Sequence, residues 1–250
     1  MEGDPDSSVT YDREQHRIAL SREQFFSPVV SAELGVEVLH STVYSRQDGE
    51  QWSESPSQSY GSAWTAGPFA RLRLSSYLPF SPLSHTDLTG GLQFGDGRGY
   101  GSSTASTAAY IGLPWDNLLA CRAWLSRSWD LPETPFAMLP SLGPDQILRG
   151  YDSRRFYGPW RTMANLELRR PLLVLLYDSE SQLPRAVLGM VVFADFGQVA
   201  EEIAGFRWDR IHPDAGVGLR FTNMGVTMAA DFALLSQEGF KMALGFGESF

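Results

Sequence analysis

Gln146-Ile147-Leu148-Arg149-Gly150-Tyr151-Asp152-Ser153-Arg154-Arg155-Phe156-Tyr157-Gly158 has neither the period of a helix nor the alternation of a strand. Segments that do alternate flank it on both sides. The stretch therefore reads as a long loop that folds back inside a barrel, and the rest of the chain is placed around it.

The flanking alternation is clear. In Val30-Ser31-Ala32-Glu33-Leu34-Gly35-Val36-Glu37-Val38 the even positions are apolar and the odd ones polar or small, the period of a strand with one oily and one wet face. Phe69 to Phe80 sets Ala70, Leu72, Leu74 and Leu78 against Arg71, Arg73, Ser75 and Tyr77. Asp87 to Gly95, Thr104 to Leu113 and Asn117 to Arg127 continue the pattern, with Asp96 to Gly101 between them as a turn or loop. After the loop come Thr162 to Leu172, Ala186 to Val199, Ala215 to Thr222, Gly225 to Leu235 and Phe240 to Phe250. Residues 46–62 are rich in Ser, Gln, Glu and Gly and read as a long hydrophilic loop.

Composition narrows the classes. Of 250 residues 43% are hydrophobic and 20% charged, with a formal net charge of -9. A soluble protein and a membrane β-barrel share such values, because half of each barrel strand faces a polar lumen. No apolar run approaches the roughly 20 residues of a spanning helix, which excludes a helical membrane protein only. The acidic balance argues against nucleic acid as a partner. A single cysteine, Cys121, allows no internal disulfide, and the four histidines have no metal-ligand spacing, so no metal or cofactor is expected. No nucleophile motif or phosphate loop is present, and no enzymatic activity is expected. Met1-Glu2-Gly3-Asp4-Pro5 is not a signal sequence; the expectation is a signal already removed.

Three features favour a membrane barrel over a soluble sandwich. The strands are long enough to cross a bilayer when tilted. Charges of both signs (Glu33, Glu37, Arg71, Arg73, Asp87, Arg122, Glu167, Arg169, Asp195, Arg220, Asp231) recur on the wet face, where a lumen lets them pair. The oily face ends in Tyr77, Phe80, Trp115, Trp129, Tyr177 and Phe250, like the aromatic girdles of outer-membrane barrels. The expected fold is all-β, an antiparallel transmembrane β-barrel of about ten strands (roughly eight to twelve) with an inward-folded lumen loop. Residues 28–250 form the barrel, and residues 1–27 an N-terminal tail or short edge strand.

Four pieces of sequence carry a resemblance. They are Leu148-Arg149-Gly150-Tyr151; Asn165-Leu166-Glu167-Leu168-Arg169-Arg170-Pro171-Leu172; Phe193-Ala194-Asp195-Phe196-Gly197; and Gly216-Val217-Gly218-Leu219-Arg220-Phe221 followed by Asp231. In this order the chain, from about Asn117 to Phe250, resembles the BamA-like outer-membrane assembly factors and two-partner-secretion transporters, whose barrels share the bacterial surface antigen domain. The resemblance implies that Arg149 sits at the tip of a lumen loop and docks on acids of the two following strands. Parity points Glu167 and Asp195 at the lumen, with Arg169, Arg71, Arg122 and Arg220 as competing partners for them. Gly150 would permit a sharp turn at the tip, and Tyr151 would pack on the wall and bond through its hydroxyl. Phe193, Gly197 and Asp231 support the motif. Phe240, Leu244, Phe246 and the terminal Phe250 resemble the signal read when such barrels are inserted. Most members of that family carry POTRA domains ahead of the barrel; a short form without them is the expectation here.

The implied location is the bacterial outer membrane. The implied partners are outer-membrane lipid and an unfolded client polypeptide or a periplasmic protein, with a homo-oligomer as a further arrangement. The implied function is assembly or translocation of other proteins. A small structural or pore-type barrel and a soluble β-domain are the competing readings.

Overall fold

The computed structural model describes residues 11–45, 62–78, 81–95, 98–131, 139–143, 148–152, 155–177 and 184–246. Its strands are β1 (Tyr11–Ser27), β2 (Val30–Ser45), β3 (Ser62–Leu78), β4 (Ser81–Gly95), β5 (Arg98–Leu113), β6 (Asn117–Leu131), β7 (Ser141–Leu142), β8 (Phe156–Tyr157), β9 (Trp160–Tyr177), β10 (Pro184–Ala200), β11 (His212–Asn223), β12 (Val226–Leu235) and β13 (Lys241–Phe246). Eleven of them form one sheet in the order β1-β2-β3-β4-β5-β6-β9-β10-β11-β12-β13, and β7 pairs only with β8. Every ladder is antiparallel. A single sheet of this extent is a barrel wall, not the stacked pair of a sandwich.

The wall curls strongly, because side chains two strands apart meet on its concave face. Gln93 of β4 donates to Glu37 of β2 at 2.6 Å, and Tyr100 of β5 lies 3.3 Å from Thr65 of β3. The two faces are inverted relative to a soluble protein. Asn165, Glu167, Asp195, Asp214 and Arg220 point inward and are buried, while Leu166, Leu168, Val192, Val217 and Leu219 point outward and are exposed. An exposed apolar wall of this extent is stable against lipid and not against water.

Tight turns occupy one end of the barrel. Residues 28–29 join β1 to β2, residues 114–116 join β5 to β6, and Met224-Gly225 joins β11 to β12. Met224 and Gly225 have φ of 50° and 82°, so both central residues are left-handed, as a two-residue hairpin turn requires. Trp115 and Asp116 also have positive φ, and Asn117 Nδ2 steadies that turn by donating to the Pro114 carbonyl at 2.7 Å. The ends of β6 and β10, where longer connections begin, lie at the other end, the usual asymmetry of such barrels. Residues 148–152 therefore enter the lumen from the long-loop end.

Two expectations need correction. Residues 11–27 are not a short edge strand: β1 is 17 residues long and stands at the sheet edge. Its polarity belongs to a lumen face, where Ser21 donates to Glu33 and Arg17 pairs with Glu37. Gly99-Tyr100-Gly101 is strand, not turn, because β5 pairs on both sides through these residues. Of the girdle aromatics, Trp115, Trp129 and Tyr177 are exposed near strand ends; Phe80, Phe250 and the Tyr77 side chain lie outside the described residues.

Candidate functional site: an arginine held inside the barrel

Strand parity builds the receiving surface. Residues 161, 163, 165 and 167 of β9 and 191, 193, 195 and 197 of β10 all face inward. The β9–β10 register then sets Asn165 beside Asp195 and Glu167 beside Phe193. Asp214 of β11 and Asp231 of β12 join the same patch from the next two strands.

Arg149 descends onto this patch and is 5% exposed. Its Nε and Nη2 donate to the two oxygens of Asp195, each at 2.8 Å, the bidentate geometry that a planar guanidinium favours. Nη1 donates to Glu167 at 2.7 Å and to Asp231 at 3.4 Å. The Phe193 ring lies beneath, its centre 3.6 Å from the guanidinium carbon. The acids are themselves held. Asn165 donates to Asp195 at 3.0 Å, Arg169 to Glu167 at 2.8 Å, and Arg220 to Asp231 at 2.6 Å. Three guanidinium groups (Arg149, Arg169, Arg220) thus face four carboxyls (Glu167, Asp195, Asp214, Asp231). Desolvating these charges is costly, so removing one partner costs about 3–5 kcal/mol while the network as a whole adds less.

The residues beside Arg149 fix the loop's pose. Gly150 donates its N–H to Asp214 at 3.0 Å. A Cβ at Gly150 would sit 2.6 Å from the Cβ atoms of both Asp214 and Ser236. Close approach therefore demands glycine here; the expected sharp turn is not the reason. The Tyr151 hydroxyl donates to the Pro213 carbonyl at 3.0 Å, and its ring meets Phe156 and His212 edge-on. Burial pushes that phenol up to about 12. Leu148 packs with Leu142, Tyr151 and Met163. Gly197 forms the floor beneath, since a Cβ there would lie 3.0 Å from Leu142.

The structure thus brings Leu148, Arg149, Gly150, Tyr151, Glu167, Phe193, Asp195, Gly197 and Asp231 into one constellation. It keeps Phe240, Leu244 and Phe246 away from it, exposed on or beside β13; Phe250 lies outside the described residues. Of the competing partners, Arg71 pairs with Glu33 and Arg122 stacks on Trp124, whereas Arg169 shares Glu167 with Arg149 and Arg220 holds Asp231. Asp214 was not among the expected residues, although its parity with Gly216, Gly218 and Arg220 carried the signal. A second tie was also unforeseen. Glu238, between β12 and β13, accepts from Arg155 Nε at 2.6 Å and from the Asp152 N–H at 2.9 Å, while Lys241 of β13 donates to Asp152 at 2.7 Å. Among the described residues no cluster of His, Cys, Asp and Glu has the arrangement of a metal site.

No protein-family model and no curated protein matches this chain. Among solved structures, BamA from Haemophilus ducreyi lacking POTRA domains 1-3 is similar, with a TM-score of 0.63 and 16% identity, over 94% of this chain and 53% of that one. The chain spans about half the length of that structure. The inverted faces, the single long-stranded sheet and this likeness together make the chain a transmembrane β-barrel of BamA-like fold.

Proposed function

We propose that this chain is an outer-membrane barrel that assists the insertion or passage of other polypeptides. In this reading the docked loop braces the lumen and the two sheet edges form a seam that opens toward lipid. The observation that carries it is the buried clasp of Arg149 on Asp195 and Glu167. The clasp joins the loop to the wall on one side of the barrel only, β9 to β12. The opposite side, which ends at β1, is left free to move against it. The acids serve the arginine and not acid–base chemistry. The partners are outer-membrane lipid and an unfolded client chain or a periplasmic protein. A homo-oligomer is a separate arrangement that sizing in detergent would reveal.

The test is Arg149→Ala. Loss of the clasp leaves Glu167 and Asp195 without their shared cation, at a cost of about 3–5 kcal/mol. The expected result is a lower heat-denaturation midpoint of the purified barrel, read from its gel mobility. Slower insertion of an unfolded outer-membrane protein into liposomes carrying the barrel should accompany it. Unchanged stability and unchanged insertion would sink the clasp. A wild-type barrel that gives no acceleration over empty liposomes, but a steady single-channel conductance, would move the assignment to a pore.

A further inference from the structure

The outer wall carries a groove of about 500 Å3 that crosses β2, β3, β4, β5, β6 and β9. Strand alternation tells which side it is on. From each of β2 to β6 it takes two outward residues and the inward one between them, as with Ala32, Glu33 and Leu34 or Ala70, Arg71 and Leu72. A lumen cavity would take two inward residues and one outward. The floor is therefore backbone, with Glu33 and Arg71 bonded to each other on the far side.

One register row runs along the groove as Leu34, Ala70, Gly90, Ser103, Arg127 and Trp160. The small residues in its middle make the depression, and Leu72, Leu88 and Leu125 form the lower bank. Leu34 sits near the β1–β2 turn, whereas Trp160 begins β9 at the long-loop end, so the groove climbs the wall obliquely. Five inter-strand steps of roughly 4.8 Å make it about 24 Å long, longer than a hydrocarbon leaflet of about 15 Å, half the bilayer core.

Arg127 stands at the upper end, exposed on the lipid-facing wall. Its guanidinium carbon is 4.8 Å from the ring centre of Trp160 and 5.5 Å from that of Trp129. No carboxylate of the described residues pairs with it. A cation on this face needs a counter-charge, and tryptophans mark the depth at which headgroups lie.

We propose that the groove binds an anionic phospholipid, its phosphate on Arg127 and one acyl chain lying along Ala70, Gly90 and Leu125. Guanidinium and phosphate match in charge and in paired hydrogen bonding. The row offers no acid, so a second copy of this chain meeting it by two-fold symmetry would leave both arginines without a partner.

The purified chain in detergent, titrated with dioleoylphosphatidylglycerol and read by native mass spectrometry, tests this. The wild type should retain the lipid, and Arg127→Gln should weaken retention about tenfold, the loss expected for one charge-assisted bond. Arg127→Lys should keep most of it. Gly90→Leu should weaken it as well, because its Cβ meets nothing closer than the Ser102 carbonyl at 3.7 Å and the side chain then fills the groove. Arg22→Gln, an outward arginine of β1, should leave retention unchanged, and heat-modifiable gel mobility shows that each variant is folded. Equal retention by all variants means a general lipid annulus and overturns the site. Loss with Arg127→Gln alone, matched by competition from inorganic phosphate, means a bare anion site and overturns the groove. A dimer on light scattering that Gly90→Leu abolishes means a second copy occupies it, and overturns the lipid.

Discussion

Gly150 is the residue where physical reasoning from structure and from sequence part. Sequence suggests a glycine chosen for backbone freedom; the structure shows a glycine chosen for space, wedged against Asp214 and Ser236. Gly150→Ala is therefore expected to lift the loop tip and to strain the Asp195 and Glu167 clasp. Overpacking of this kind costs about 1–3 kcal/mol, to be read as a lower heat-denaturation midpoint; a midpoint equal to the wild type would show that the tip has slack. The acids, by contrast, were legible. Glu167 and Asp195 lie on strands whose period-two pattern is strong, so parity alone aimed them at the lumen. Which of several arginines they would hold was not legible from parity, and only the resemblance pointed to Arg149. That choice depends on a loop pose set by Leu142, Met163 and Pro213, residues that no spacing rule connects to Arg149.

At the scale of elements, the lumen loop is tied to the barrel twice. The deep tie is the Arg149 clasp; the shallow one joins Asp152 and Arg155 to Glu238 and Lys241, and so reaches the last hairpin. Exposed ion pairs add about 0–1 kcal/mol, so the shallow tie sets order more than stability. Glu238→Gln should leave the denaturation midpoint nearly unchanged yet raise amide exchange at Asp152 and across residues 155–158. Exchange that stays at the wild-type level would assign the ordering to the Tyr151, Phe156 and His212 ring cluster instead. Long two-faced strands such as β9 to β12 could be read from sequence because each carries apolar and polar residues in alternation. β1 and the start of β5 could not. The lumen face of β1 is mostly polar and its outer face mixes Ile18 and Leu20 with His16 and Arg22, so the two faces barely differ, while β5 opens on Gly99 and Gly101, whose pairing comes from neighbours and not from side chains.

For the molecule as a whole, strand parity has a mechanical consequence. An odd number of antiparallel strands leaves the two edges pointing the same way: β1 and β13 both run from the long-loop end toward the tight turns. Bacterial single-chain barrels close with an even number, so that first and last strands pair antiparallel. Among the described residues no ladder joins β1 to β13. Every strand between them in the large sheet is paired on both sides, whereas β1 and β13 are each paired on one. The two flanks should therefore differ in local stability. In lipid nanodiscs, amides of β1 and β13 should exchange well ahead of those of β9 and β10, which are also pinned by the loop. On the proposed function, a client strand entering the seam would run from the tight-turn end to the long-loop end and so pair antiparallel with both edges at once. Cysteine pairs placed along β1 and along a client strand should cross-link in that sense only. Protection of β1 equal to that of β10 would mean the edges are already sealed, and cross-links in the opposite sense would mean that strand pairing at the seam follows something other than the direction of β1 and β13.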